Sequence, residues 1–412
     1  MMLPTTSLND VLFISLFLMQ FPATVLLVIR LGKAAYQHPP LGPAPLKAGQ
    51  FPVADGQVGS VSVVVPTLNE VHRLAACLTG LTQQGPEVAE ILVVDSNSQD
   101  GTRELVAQFQ QRDQRIKLLT DDPLPAGWVG RPWALQYGYM HSSPRSEWIL
   151  GIDADTHPQP GLAQSLIAKA QISNHDLISL SPRFIMRHAG ESWLHPALLI
   201  TLLYRTDSHG ATPNGGQSVL ANGQCFLCRR SVLAQVGGYS SARSSFCDDV
   251  TLARNIALAG FKVGMLDGAH LLKVRMYEGA VETWHEWGRS LDLKDASSRT
   301  QLRTDLYLLG MVQAFPLPLL FTLLFAFPAS AWSLAGLSLI GLNTLLLTLR
   351  VILLFAIAHC YDRSQARAGW LFWLSPLLDP VAVLRIFLSA FHIPTHWRGR
   401  TYFPSLPKQV SS

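Results

Sequence analysis

Asp153 and Asp155 flank a single alanine directly after the charge-free run 148–152. Two carboxylates at that spacing can hold a hard divalent cation, Mg or Mn, which grips a diphosphate and neutralises a leaving group. The competing reading is an Asx turn ahead of Pro158 and a helix start. Asp95 closes the apolar run 91–94 and opens Asp95-Ser96-Asn97-Ser98-Gln99-Asp100-Gly101-Thr102. Its carboxylate can accept from a base N–H or a ribose hydroxyl, whereas Asp100 is expected to cap the next helix. Asp248 and Asp249 lie between the serine-rich stretch 240–245 and a helical pattern over 250–259. They either cap that helix or face a pocket. A carboxylate facing a pocket can take the proton of an acceptor hydroxyl if it comes within about 3 Å of that oxygen. Adjacent side chains point in different directions, so one of the two at most is the base.

Arg131 stands in Gly127-Trp128-Val129-Gly130-Arg131-Pro132-Trp133. It is expected in a loop, paired with donor phosphate or in a surface ion pair. His285 and Arg289 are four residues apart in Trp284-His285-Glu286-Trp287-Gly288-Arg289-Ser290, so on a helix they share a face. With Trp284 they can line an acceptor or diphosphate site, or they belong to an interfacial amphipathic helix. Cys225 and Cys228 form a CxxC in a strand-like run with no second pair to complete a zinc site. Reduced, partly buried thiols are the preferred reading.

The elements that must position these groups alternate over residues 60–300. Strand-like runs at 60–65, 90–94, 116–119 and 148–152 are separated by helical patterns at 70–81, 102–111 and 161–170. That order in short units predicts an α/β fold with a mostly parallel sheet between helices. Ligands of such sheets bind beyond the carboxyl ends of the strands. Asn69 with Glu70, Asp95, and Asp153 with Asp155 all fall just past such ends. No Gly-x-Gly-x-x-Gly follows the first strand and no Walker A lysine loop is present, which argues against dinucleotide and P-loop chemistry. The formal net charge of +4, without basic blocks interleaved with aromatics, argues against nucleic acid.

Charged residues make up only 15% of the 412, and the apolar ones concentrate at both ends. Residues 8–32 are expected to form a transmembrane helix, whose charge-free run 11–29 is followed by Arg30 and Lys33, which predicts a cytoplasmic domain after it. A proline-rich linker follows over 33–59. Residues 306–349 contain no Asp, Glu, Lys or Arg, so 305–358 is expected to supply two transmembrane helices. A turn is placed at 328–333, and Pro316 and Pro318 should break the first crossing. Residues 370–392 are apolar but carry Asp379, Pro380 and Arg385, which points to a transmembrane, re-entrant or interfacial helix. A basic tail occupies 393–412 and is expected in the cytoplasm, making the protein a multi-pass membrane protein.

Val63-Val64-Val65-Pro66-Thr67-Leu68-Asn69-Glu70, Asp95, Asp153-Ala154-Asp155 and Asp248-Asp249-Val250-Thr251-Leu252-Ala253-Arg254, in that order, resemble family 2 glycosyltransferases of the GT-A fold. The resemblance covers residues 60–290. It implies that Pro66, Asn69, Glu70, Asp95, Arg131 and Asp153 bind the nucleotide-sugar donor. It further implies that Asp153 and Asp155 bind the metal and that Asp249, as the second acid of its pair, is the catalytic base. Trp284, His285 and Arg289 stand where processive members carry Gln-x-x-Arg-Trp; the full motif is missing, so a long polymer is not the expected product. The 128–134 segment, the membrane segments and Trp397-Arg398-Gly399-Arg400-Thr401-Tyr402 are similar to the hopanoid-associated and carotenoid glycosyltransferases, including the cyanobacterial carotenoid 2'-O-glycosyltransferases. That implies inverting transfer to a membrane lipid-like acceptor, foremost a carotenoid with a myxol-like 2'-hydroxyl. A hopanoid, a ceramide-like glycolipid and a polyprenyl phosphate are the other acceptors, and a non-enzymatic membrane scaffold is the rival class.

Overall fold

The computed structural model describes residues 8–34, 58–205, 219–290, 297–327 and 333–391, with the two short pairs 396–397 and 400–401. Nearly all of the linker, all but the last residue of the expected turn 328–333 and most of the basic tail lie outside the described residues. The chain opens on α1 (Leu8–Ala34). It continues through β1 (Val61–Thr67), α2 (Val71–Thr82), β2 (Val88–Asp95), α3 (Thr102–Gln110), β3 (Ile116–Thr120), α4 (Gly130–His141) and β4 (Trp148–Ile152). Next come β5 (Thr156–Pro158), α5 (Leu162–Ser173), β6 (Leu177–Ser181), β7 (Arg183–Ile185), α6 (Ala189–Arg205), β8 (Cys225–Arg229), α7 (Arg230–Gln235), α8 (Asp248–Leu258), β9 (Val263–Asp267) and β10 (Leu272–Val274). The last helices are α9 (Gly279–Ser290), α10 (Arg299–Leu309), α11 (Pro316–Ala326), α12 (Leu334–Ile357) and α13 (Asp379–Ala390).

Two compact units emerge. One comprises His38–Ile185, His209–Met276 and Ile393–Ser412; the other comprises Met1–Gln37, Met186–Ser208 and Tyr277–His392.

The first unit is built on a seven-stranded sheet in the order β3-β2-β1-β4-β8-β6-β9. Strands β3, β2, β1 and β4 run parallel, β8 is antiparallel to both β4 and β6, and β9 is parallel to β6. Side chains alternate between two cores, as the pleat requires. Val61, Val63 and Val65 of β1 join Leu150 and Leu227 on one face, while Val64, Ile149 and Phe226 join Leu135 and Leu252 on the other. Both faces are covered, which is why these strands read as nearly continuous apolar runs. The same alternation separates the CxxC. Cys225 packs in the first core and Cys228 in the second, and both are free thiols. Three residues apart on a strand, they project from opposite faces and cannot jointly bind one ion.

Two features place the site. The register sets Thr67 of β1 beside Asp95 of β2, and Val64 beside Gly151 of β4. Because β8 is antiparallel, its first residue, Cys225, pairs with the last of β4, Ile152. The segment entering β8 therefore arrives where the carboxyl ends of the parallel strands converge.

The second unit is helical. Among the described residues, three helices are long and apolar enough to cross a membrane: Leu8–Gly32, Leu334–Cys360 and Gly369–Ala390. The segments Arg299–Ala314 and Pro316–Ala326 form a further pair, bent by 43° after a π turn at Gly310–Ala314. The break falls where the proline begins the new helix, since a residue without an N–H suits a first turn and not an interior. On α12 the buried residues Leu339, Asn343, Leu346, Arg350, Leu354 and Ile357 recur every three or four positions, marking one inward stripe. Its polar members are partnered. Asn343 exchanges hydrogen bonds with Gln20 of α1, at 2.8 and 3.0 Å. Arg350 meets Asp379, so the acid that interrupts the apolar 370–392 stretch is neutralised by a base on the neighbouring helix. Arg30, counted above as a flanking charge, donates to Tyr204 O at 2.8 Å and pairs with Asp305 at 3.3 Å.

Candidate active site

Each acidic group is delivered by a local device. Asn69 sits past the end of β1 with φ of 56°, a left-handed conformation that asparagine tolerates. Its N–H donates to Ser98 Oγ at 2.8 Å and its Oδ1 accepts from Gln99 N–H at 2.9 Å, tying the β1 and β2 loops together. Asp95 is fully buried and accepts from Ser98 N–H at 3.0 Å. It thereby shapes its own loop, a role beyond the hydrogen-bond acceptor for a nucleoside expected from sequence. Asp100 caps as expected, accepting from Thr102 N–H and Val71 N–H, both at 3.0 Å, so that it serves the first turns of α3 and α2 together. Glu70 is buried, and its N–H donates to Thr102 Oγ1 at 2.9 Å. Pro66 is the sixth residue of β1 and pairs across the sheet with Val94.

Arg131 corrects the sequence reading. It lies in the first turn of α4 and not in a loop, because Pro132 is accommodated in a first turn, where its missing N–H breaks no helical bond. Nor is it in a surface ion pair. Nε donates to Asp153 Oδ1 at 2.9 Å, Nη2 donates to Gly223 O at 2.7 Å, and Nη1 is bonded to Asp248 Oδ2. Its side chain is 15% exposed, against 26% for Asp153 and 6% for Asp248.

Asp248 and Asp249 occupy the first turn of α8 and diverge as expected. Asp248 turns inward to Arg131. Asp249 Oδ2 accepts from Gly223 N–H at 2.6 Å, and its Oδ1 accepts from Val250 N–H at 2.8 Å. Burial raises both carboxyls above the usual range. Arg131 opposes that rise, while neighbouring acids add to it. Burial by itself would lower the Arg131 guanidinium, but Asp153 and Asp248 outweigh it and raise it instead. Gly223 escaped sequence reading. A Cβ at this residue would lie 2.5 Å from Arg131 Nη2, so glycine is required for the guanidinium to seat. The only sequence cue was a small polar turn, Asn222-Gly223-Gln224, ahead of a strand.

The chemistry of Asp153 and Asp155 fits a divalent cation. Asp155 Oδ1 is buried without a hydrogen-bond partner, and burial followed by Asp153 pushes its carboxyl up to about 7. An orphaned carboxylate oxygen beside a second carboxylate is costly alone and is satisfied by a hard ion that takes oxygen ligands.

Trp284, His285 and Arg289 lie on α9, in the helical unit and not in the sheet unit that brings the acids together. Arg385 donates to the carbonyls of Trp284 and His285, at 2.5 and 3.2 Å, and lies over the Trp284 ring. The Arg289 side chain is outside the described residues. Trp287 is buried against His195.

A mostly parallel sheet carrying these acids past its strand ends defines a GT-A glycosyltransferase domain. The mannosyltransferase PcManGT from Pyrobaculum calidifontis, solved in complex with GDP-Man and Mn2+, shares the fold with a TM-score of 0.53 and 17% identity, over 93% of this chain and 99% of that one. Residues 62–237 match the Glycosyl transferase family 2 model, so this segment is a family 2 glycosyltransferase domain. It is similar to the 4,4'-diaponeurosporenoate glycosyltransferase of Staphylococcus haemolyticus, at 24% identity over 62% of this chain and 68% of that protein. It is also similar to WfgD of Escherichia coli, a UDP-Glc:alpha-D-GlcNAc-diphosphoundecaprenol beta-1,3-glucosyltransferase, at 36% identity over 19% of this chain and 30% of that one.

Proposed function

We propose that this protein transfers a sugar, with inversion, from a nucleoside-diphosphate sugar to a hydroxyl of a membrane-resident apolar acceptor, foremost a carotenoid. The observation that carries the reading is the grouping of Asp153, Asp155, Asp248 and Asp249 around one arginine past the ends of parallel strands. The carotenoid acceptor is favoured by the relatedness to the diaponeurosporenoate enzyme and by the apolar helices of the second unit. A polyprenol-linked acceptor, as in WfgD, is the alternative.

In this reading the β1 and β2 loops, with Pro66, Asn69, Glu70 and Asp95, receive the nucleoside, and Asp153 with Asp155 holds a Mg or Mn ion. When bound, that ion neutralises the departing diphosphate. Asp249 takes the acceptor proton: it is partly exposed, its carboxyl is raised, and the Gly223 and Val250 N–H groups aim it. The acceptor oxygen forms a bond to the anomeric carbon as the bond from that carbon to the diphosphate oxygen breaks. Asp248 stays on Arg131 and is the structural partner of the pair. Lipid profiles of cells with and without the gene test the assignment. A missing glycosylated carotenoid supports it, a missing polyprenol-linked sugar selects the alternative, and an unchanged glycolipid and carotenoid profile overturns it.

A further inference from the structure

All three guanidinium nitrogens of Arg131 are engaged by Asp153, Asp248 and Gly223 O. A metal ion at Asp153 and this guanidinium would press two positive charges onto one carboxylate, Oδ1 of which Arg131 already holds. The contacts differ in depth: Asp153 is the more exposed partner and Asp248 is nearly buried. The contact that can exchange is therefore the one with Asp153, while Asp248 and the Gly223 carbonyl anchor the arginine from inside. Gly223 also faces the other way, its N–H holding Asp249 Oδ2 at 2.6 Å.

We propose that Arg131 is a resident counter-ion of the donor site, displaced from Asp153 but not from Asp248 and Gly223 when metal and donor enter, and that Gly223 couples it to Asp249. The inference rests on the donor-site reading given above. Arg131 is then a positioning residue that makes the donor carboxylates and the acceptor-side base one connected network. A donor-free enzyme keeps its acids paired with Arg131, and Asp249 is held through Gly223 by the same network.

Mn2+ binding to the donor-free, full-length protein in detergent, read by electron paramagnetic resonance, decides the matter. Arg131→Gln removes a like charge a few ångströms from the ion, so Mn2+ should bind about tenfold or more tightly than to wild type. Gly223→Ala retains the charge but unseats the guanidinium. It should tighten Mn2+ in the same direction and move the acid limb of the kcat–pH profile, because Asp249 loses its N–H donor geometry. Unchanged or weaker Mn2+ binding in both variants overturns the proposal. Should Arg131→Gln fail to fold, Gly223→Ala decides alone. Asp155→Asn separates the two readings. If it leaves wild-type Mn2+ binding untouched, the donor-site reading itself fails. If it abolishes binding while the Arg131 and Gly223 variants behave as wild type, only the counter-ion role is lost.

Discussion

Arg350 and Asp379 form a two-pronged ion pair, Nε to Oδ2 at 2.8 Å and Nη2 to Oδ1 at 3.1 Å, with both side chains at most 3% exposed. Gln313 Nε2 adds a third donor to Asp379 Oδ1 at 3.1 Å, and Ser375 Oγ accepts from Arg350 at 3.2 Å. The pair ties α12 to α13 among apolar side chains, where an unpaired charge is expensive. Arg350→Met should therefore destabilise the protein by about 3–5 kcal/mol, because it strands Asp379. Adding Asp379→Leu to that variant should recover much of the loss. Thermal unfolding in detergent measures both, and a double variant no more stable than the single one would refute the assignment.

Asp248 and Asp249 should separate cleanly. Asp249→Asn should cut turnover by about 10²–10⁴-fold, the usual loss of a general base, with donor affinity nearly intact. Asp248→Asn should lose less turnover and more stability, since it deprives Arg131 of its inner partner. Initial rates with donor calorimetry check this. A near-normal rate for Asp249→Asn beside a collapsed one for Asp248→Asn would move the base one residue upstream.

Stabilisation by metal should depend on pH in a stated direction. The folded Asp155 carboxyl is raised from 3.8 to about 7. What this group contributes to metal-free stability is thus fully present below about pH 4 and lost as pH rises through about 7. Metal ligands must be deprotonated to bind, so the gain in Tm with Mn2+ should grow between pH 6 and pH 8. Thermal shifts across that range, with and without chelator, provide the readout; a gain that shrinks with pH would remove Asp155 from the metal site. Chelation should likewise abolish transfer, and Asp153→Asn should weaken donor binding.

The sheet unit is expected on the cytoplasmic side. On sealed vesicles of known orientation, protease added from that side should cleave within residues 60–185, and protection there would reverse the orientation.

Much of this was written locally. The runs that became β1, β2 and β4 alternate or are wholly apolar because a covered sheet demands it, and the acids past their ends follow from strand geometry alone. Asp100 as a cap and the break at Pro316 are equally local, since each depends on a few neighbouring backbone groups. The partners of the charged groups were not legible. Arg131 reaches Asp248 across 117 positions, and Gly223 is carried to the site only because β8 enters the sheet antiparallel beside β4. Arg350 stands one position beyond a long charge-free run, and the chain of residues around it does not identify Asp379 as its partner. Periodicity and turn chemistry are short-range properties of sequence. Which buried charge meets which is set by the closing of the tertiary structure, where each charge must find a partner or remain unsatisfied at a cost of several kcal/mol.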